Sequence, residues 1–135
     1  MPDTRPIVVD ASAMIDLLLD TEASAPVRAA IRDRPLVVPG HFDAEVISAI
    51  GRLHRAGDLT ESAATSRVER LASAPIQRES LAPLVAGAWA RRGDTRLADA
   101  LYLELASVLE TIVVTTDRRL ARANPTLTAT PDRAD

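Results

Sequence analysis

Two stretches decide the fold: Ile112-Val113-Val114-Thr115-Thr116-Asp117 and, near the other end of the chain, Ile7-Val8-Val9-Asp10. Both are short, apolar, β-branched runs bounded by polar residues, which is how strands buried on both faces of a parallel sheet read. Each closes on an aspartate. If the two strands are neighbours in one sheet, their backbones lie about 4.8 Å apart and their terminal carboxylates can share an ion. Glu45 and Asp99 fall where helices are expected to begin, which extends the set to Asp10, Glu45, Asp99 and Asp117. Crowded carboxylates repel unless they are protonated or neutralised by a cation. An oxygen-only set favours magnesium or manganese over zinc, so the four acids are a candidate site for a hard divalent metal.

Working outward, strands and helices alternate. Residues 7–10 read as a strand, with Ser12 placed to cap a helix running through Met14 to Leu19. A helix follows at about Ala25–Arg32, with Pro26 tolerated in its first turn, then a strand at Leu36–Val38 ended by Pro39-Gly40. Helices are expected over His41–Arg55 and Thr60–Ala72, separated at Gly57-Asp58, followed by a strand at Ile76–Arg78. Further helices are expected over Leu81–Arg91 and Leu97–Leu109, a strand over Ile112–Thr116, a short helix over Arg118–Arg122 and an edge strand over Leu127–Ala129. This alternation means an α/β domain with a mostly parallel sheet and helices on both faces. Ligands of such folds bind beyond the carboxyl ends of the strands, where Asp10 and Asp117 stand.

Composition bounds the function. The 135 residues fit a single domain spanning 1–135, and a chain near that size buries roughly 68% of its unfolded surface without staples. There is no cysteine, which rules out disulfides and thiolate metal sites; with no leader-like segment in Met1 to Pro6, a soluble cytoplasmic protein is expected. No apolar run is long enough for a membrane span. His41 and His54 lack the partners of a structural zinc site and read as ordinary surface or helix residues. All 16 basic residues are arginine, which excludes a phosphate loop with Gly-Lys and a Schiff-base lysine. Arginine also suits phosphate through its bidentate fork, although a GC-rich coding sequence yields the same bias.

Helical spacing leaves two readings open at three of the acids. Phe42, Val46, Ala49, Ile50 and Leu53 form an apolar stripe, and Glu45 falls on its border beside Ala49 and Arg52, where it can point into a cleft or into solvent. Asp99 lies in the first turn of a helix with the stripe Leu97, Leu101, Leu105 and Val108, so it can serve a site or complement the helix dipole. Asp117 can serve a site or cap a helix. Asp10, directly after three β-branched residues, is the hardest to explain structurally.

Val9-Asp10-Ala11-Ser12, Leu97-Ala98-Asp99-Ala100-Leu101-Tyr102 and Val114-Thr115-Thr116-Asp117-Arg118-Arg119-Leu120-Ala121, in that order and with Glu45 between the first two, resemble the signatures of the PIN-domain family, in its branch of VapC toxins from bacterial toxin-antitoxin pairs. The resemblance covers essentially the whole chain. It implies a PIN-like three-layer sandwich with a sheet of order 3-2-1-4-5, and a metal-dependent ribonuclease. Asp10, Glu45, Asp99 and Asp117 match the family's acids, and Ser12 and Thr116 match its auxiliary hydroxyls. Asp94 is either an extra acid near the pocket or a helix cap. The resemblance further implies a cognate antitoxin partner and a homodimer, with the helices at His41–Arg55 and Thr60–Ala72 as contact surfaces.

On this reading Asp10 and Asp99 are the principal ligands of Mg2+ or Mn2+, Glu45 and Asp117 support them, and Ser12 and Thr116 hydrogen-bond behind them. RNA affinity is expected from Arg91, Arg92, Arg96, Arg118 and Arg119, because the acids themselves repel RNA. Trp89, Tyr102 and Phe42 are the only aromatics, too few for a base-stacking platform. The alternatives are an acid-pocket nuclease acting on DNA and a noncatalytic binding module on the same fold.

Overall fold

The computed structural model describes residues 3–131; the expected domain bounds at 1 and 135, and the start of the 1–6 segment, lie outside them. The strands are β1 (Ile7–Val9), β2 (Leu36–Pro39), β3 (Ile76–Glu79), β4 (Val113–Val114) and β5 (Thr128–Ala129). They form one sheet of order β3-β2-β1-β4-β5, and every pairing is parallel. β1 sits in the middle: Val8 is in register with Val37 on one side and Val113 on the other. Successive side chains of a strand point to opposite faces. Since Ile7, Val8 and Val9 are all at most 1% exposed, both faces of the sheet are covered, as the apolar runs led us to expect.

The helices are α1 (Ala11–Leu18), α2 (Ser24–Ile31), α3 (Phe42–Arg55), α4 (Glu61–Ser73), α5 (Val85–Ala90), α6 (Leu97–Val108) and α7 (Arg118–Ala123). α6 packs across β1, β2 and β4, which explains why Leu103, Leu105 and Ala106 are buried. Most element ends shift by about one residue, and β4 covers Val113–Val114 where a strand over Ile112–Thr116 was expected; two further differences change how residues are used. α1 starts directly from the strand, so its N-cap is Asp10 and not Ser12: Asp10 Oδ1 accepts the Ala13 amide at 3.0 Å. The expected helix Leu81–Arg91 is broken, because Pro83 sits in a single 3-10 turn, Ala82–Leu84, that leads into the short α5.

Four helices end the same way. The second residue beyond α1, α2, α3 and α6 has positive φ: Asp20 at 52°, Asp33 at 60°, Gly57 at 84° and Glu110 at 54°. This left-handed cap is where glycine is favoured, and only the Gly57 break was readable as such. Aspartate tolerates the conformation better than most side chains, whereas Glu110 has no such advantage.

Candidate active site

β1 ends by delivering Asp10 to the carboxyl edge of the sheet, where the backbone turns at once into α1. The carboxylate is 5% exposed and fully engaged. Oδ1 accepts the Ala13 amide at 3.0 Å and the Ser12 hydroxyl at 2.7 Å, and Oδ2 accepts the Thr115 hydroxyl at 2.5 Å. Burial pushes the Asp10 carboxyl up to about 6; the bonds from Thr115, Ala13 and Ser12 pull against that rise, and the Asp99 charge adds to it.

The other three acids line the same cleft, a recess of about 200 Å³ that also contains Ser12, Tyr102, Arg52 and Arg96. α3 supplies Glu45, whose Oε1 accepts the Tyr102 hydroxyl at 2.6 Å and lies 3.4 Å from His41 Nε2. α6 supplies Asp99 from its first turn, where Arg96 Nε donates to Oδ2 at 3.2 Å. Burial raises the Asp99 carboxyl, opposed by Arg96 and helped by the charges of Glu45 and Asp117. Asp117 begins α7, and its Oδ1 accepts the amides of Arg119 at 3.0 Å and Leu120 at 3.3 Å. Capping and membership of the cleft are therefore not alternatives: Asp10 and Asp117 do both.

Several residues are placed otherwise than the sequence suggested. Thr116 does not face Asp10; its hydroxyl donates to Asp16 Oδ2 at 2.6 Å, while only its backbone amide reaches Ser12 Oγ, at 3.2 Å. The hydroxyl against Asp10 is that of Thr115, which also accepts the Asp117 amide at 3.0 Å. The signal was strand alternation: Asp10 pairs with the end of β4, and successive residues there point to opposite faces. Arg91 is held by Glu104 at 3.2 Å and Arg92 lies over the Trp89 ring at 4.8 Å, so neither lines the cleft. Arg118 borders a separate recess with Asp16 and Thr116, and Asp94 borders a hollow shared with Asp99 and Asp117 but not with Asp10. Arg119 Nε stands 4.0 Å from Asp117, and Arg96 reaches the cleft itself.

Three participants were not singled out from the sequence. Tyr102, 1% exposed, follows Asp99 by three positions, the spacing that puts two residues on one helical face. His41 was read as an ordinary residue, yet its Nε2 donates to the Ala98 carbonyl at 2.8 Å and its ring packs 4.8 Å from that of Tyr102. Arg52 lies seven residues after Glu45, close to two full turns along the same face of α3.

The donor set fits a hard divalent ion because it is all oxygen and its members raise one another's affinity for a positive charge. Among the described residues, no three acidic or histidine side chains converge into a ready-made ion cage. Arg96 engages Asp99, Tyr102 engages Glu45, and Asp10 has hydrogen bonds on both oxygens. That suits an ion held by one or two carboxylates through part of its water shell, the usual manner of magnesium.

Comparisons with known proteins bear on the family and the fold. A family model for the PIN domain matches residues 7–124. The chain is 50% identical over 120 residues to Ribonuclease VapC3 of Mycobacterium tuberculosis, a span covering 88% of each chain. Two solved structures share the fold: PAE2754 from Pyrobaculum aerophilum, with a TM-score of 0.69 and 23% identity over 92% of this chain and 83% of that one, and VapBC2 from Rickettsia felis bound to a DNA fragment from their promoter, with a TM-score of 0.69 and 9% identity over 94% and 99%.

Proposed function

The chain belongs to the PIN-domain family, and from that premise we propose that it is a VapC-type ribonuclease toxin whose acidic cleft hydrolyses RNA phosphodiester bonds with Mg2+ or Mn2+ and is neutralised by a cognate antitoxin. The observation that carries this is the convergence of Asp10, Glu45, Asp99 and Asp117, from four different elements, on one cleft at the carboxyl edge of the sheet. No cysteine or lysine nucleophile competes for the role.

When bound, the ion supplies an activated water and charge neutralisation at the attacking and leaving oxygens. The chain's own residues prepare the place. Asp10 and Asp99 would hold the ion; burial raises both carboxyls in the metal-free protein, so binding would displace a proton or the Arg96 contact to Asp99. Thr115, Ser12 and the Ala13 amide fix the Asp10 carboxylate in one orientation, and the Tyr102 hydroxyl does the same for Glu45. Asp117 Oδ1 is taken by the start of α7, leaving Oδ2 for a water.

Residues 1–135 act as a single catalytic unit in the cytoplasm. Among the described residues no helix is long and apolar enough to cross a membrane. Homodimer and antitoxin contacts draw on α3 and α4, where Ile47 and Val68 are exposed, and on the exposed Val85, Trp89 and Leu97 of α5 and α6.

The test is cleavage of RNA and of DNA of the same sequence by purified protein, with magnesium and with excess EDTA. RNA cut only in magnesium is the expected result. Equal cutting in EDTA overturns the metal assignment, and preference for DNA overturns the substrate.

A further inference from the structure

The acidic cleft opens sideways into a second recess, a shelf of about 370 Å³ between the start of α3 and the start of α6, bordered by His41, Ser48 and Ala98. Glu45, Arg52 and Arg96 line both spaces, so the shelf is continuous with the cleft. Arg52 stands apart from the other arginines near the site. Arg91 is tied to Glu104, Arg92 to Trp89, Arg96 to Asp99, and Arg119 lies against Asp117. Among the described residues Arg52 is exposed and its side chain makes no ion pair, hydrogen bond or ring contact, although four carboxylates line the cleft with it.

We propose that this shelf is an RNA subsite in which Arg52, with Arg96 across from it, takes the phosphate of a nucleotide next to the one being cut. The inference rests on the nuclease reading of the cleft. A strand entering an acidic cleft is repelled along its backbone, and affinity has to come from cations beside the acids and not among them. A free guanidinium offers a bidentate fork to phosphate, and Ser48 adds a hydroxyl on the same helix. The recess that Arg118 borders is less suited to a backbone phosphate, because Asp16 and Glu22 line the same space. The strand therefore leaves the cleft over α3 and α6.

The experiment measures steady-state cleavage of a short single-stranded RNA of mixed sequence by the full chain across a series of salt concentrations, for the parent, Arg52→Gln, Arg52→Lys and the α4 control Arg70→Gln. Arg52→Gln is expected to raise KM about tenfold, keep kcat within about twofold, and lower the slope of log(kcat/KM) against log salt by about 0.7, the value of one phosphate contact on a single strand. Arg52→Lys should restore the slope, and Arg70→Gln should match the parent. An unchanged KM and slope in Arg52→Gln overturns the shelf and leaves the nuclease reading standing. A parent that cuts no RNA overturns both. An unchanged slope accompanied by a shifted size-exclusion elution gives the shelf to a protein contact and overturns the RNA assignment.

Discussion

Thr115 and Asp10 are joined across the β4–β1 pair by a 2.5 Å bond from hydroxyl to carboxylate. The same hydroxyl accepts the Asp117 amide, so one side chain orients an acid from each of two strand ends. Thr115→Val removes the donor to Asp10 and strands the Asp117 amide. Cleavage is expected to fall about 10- to 100-fold, the usual cost of losing a group that orients a ligand. Thr116→Val, which loses only the bond to Asp16, should cut within about threefold of the parent and lose about 1 kcal/mol of stability. Paired cleavage rates and melting curves check both, and equal losses in activity would reject the assignment of the orienting role to Thr115.

Asp10 predicts a pH dependence whose sign is fixed by its raised carboxyl. The fold favours the protonated form, so this group's contribution to stability is fully present below about 3.8 and is lost as pH rises through about 6. The difference corresponds to on the order of 3 kcal/mol. In EDTA, Asp10→Asn should gain on the parent over that window and exceed it at neutral pH, while cleavage in magnesium falls at least about 100-fold. Asp20→Asn is the control, since Asp20 is a left-handed helix cap that is not among the residues lining the cleft. Asp16 cannot serve as one, because it ties Thr21 to Thr116. Melting curves of the parent and Asp10→Asn that stay parallel across pH would show that the carboxyl is not held up.

Magnesium should raise the stability of the parent by about 2.7 kcal/mol at a hundred times its dissociation constant. The gain should shrink in Asp99→Asn. Thermal shift titrations provide the measurement, and an equal gain in both proteins removes Asp99 from the metal site.

Tyr102→Phe keeps the buried ring but takes the hydroxyl from Glu45. A loss of about 1 kcal/mol in stability and about tenfold in cleavage is expected. Unaltered cleavage would mean that Glu45 needs no such orientation.

Glu110 adopts a left-handed conformation beyond α6 without the local hydrogen bonding that eases aspartate there. Glu110→Gly should stabilise the protein by about 0.5 to 1 kcal/mol and leave cleavage unchanged. A lower melting temperature would refute strain at this cap.

The parallel sheet and all four acids of the cleft were legible because β-branched runs mark buried strands and because the acids sit at element ends. What depended on the third dimension was less so. The choice between Thr115 and Thr116 turned on a half-period of strand alternation, and the fate of Arg91 and Arg92 turned on Glu104 and Trp89, whose proximity no local pattern announces. Arg52 was visible beside Glu45 on the helix, but its lack of a partner is a property of the assembled molecule. The helix ends at Asp20, Asp33 and Glu110 carried no glycine to betray them.

The order of the sheet also governs when a newly made chain can assemble its cleft. β1, which leads into Asp10, is made well before its partner β4 and Asp117, because almost every helix and strand of the described residues lies between them. Pairing between such distant segments cannot precede the synthesis of the later one. The four acids therefore cannot share their cleft until Asp117 has been made, so the proposed nuclease stays inert through that interval of its own synthesis.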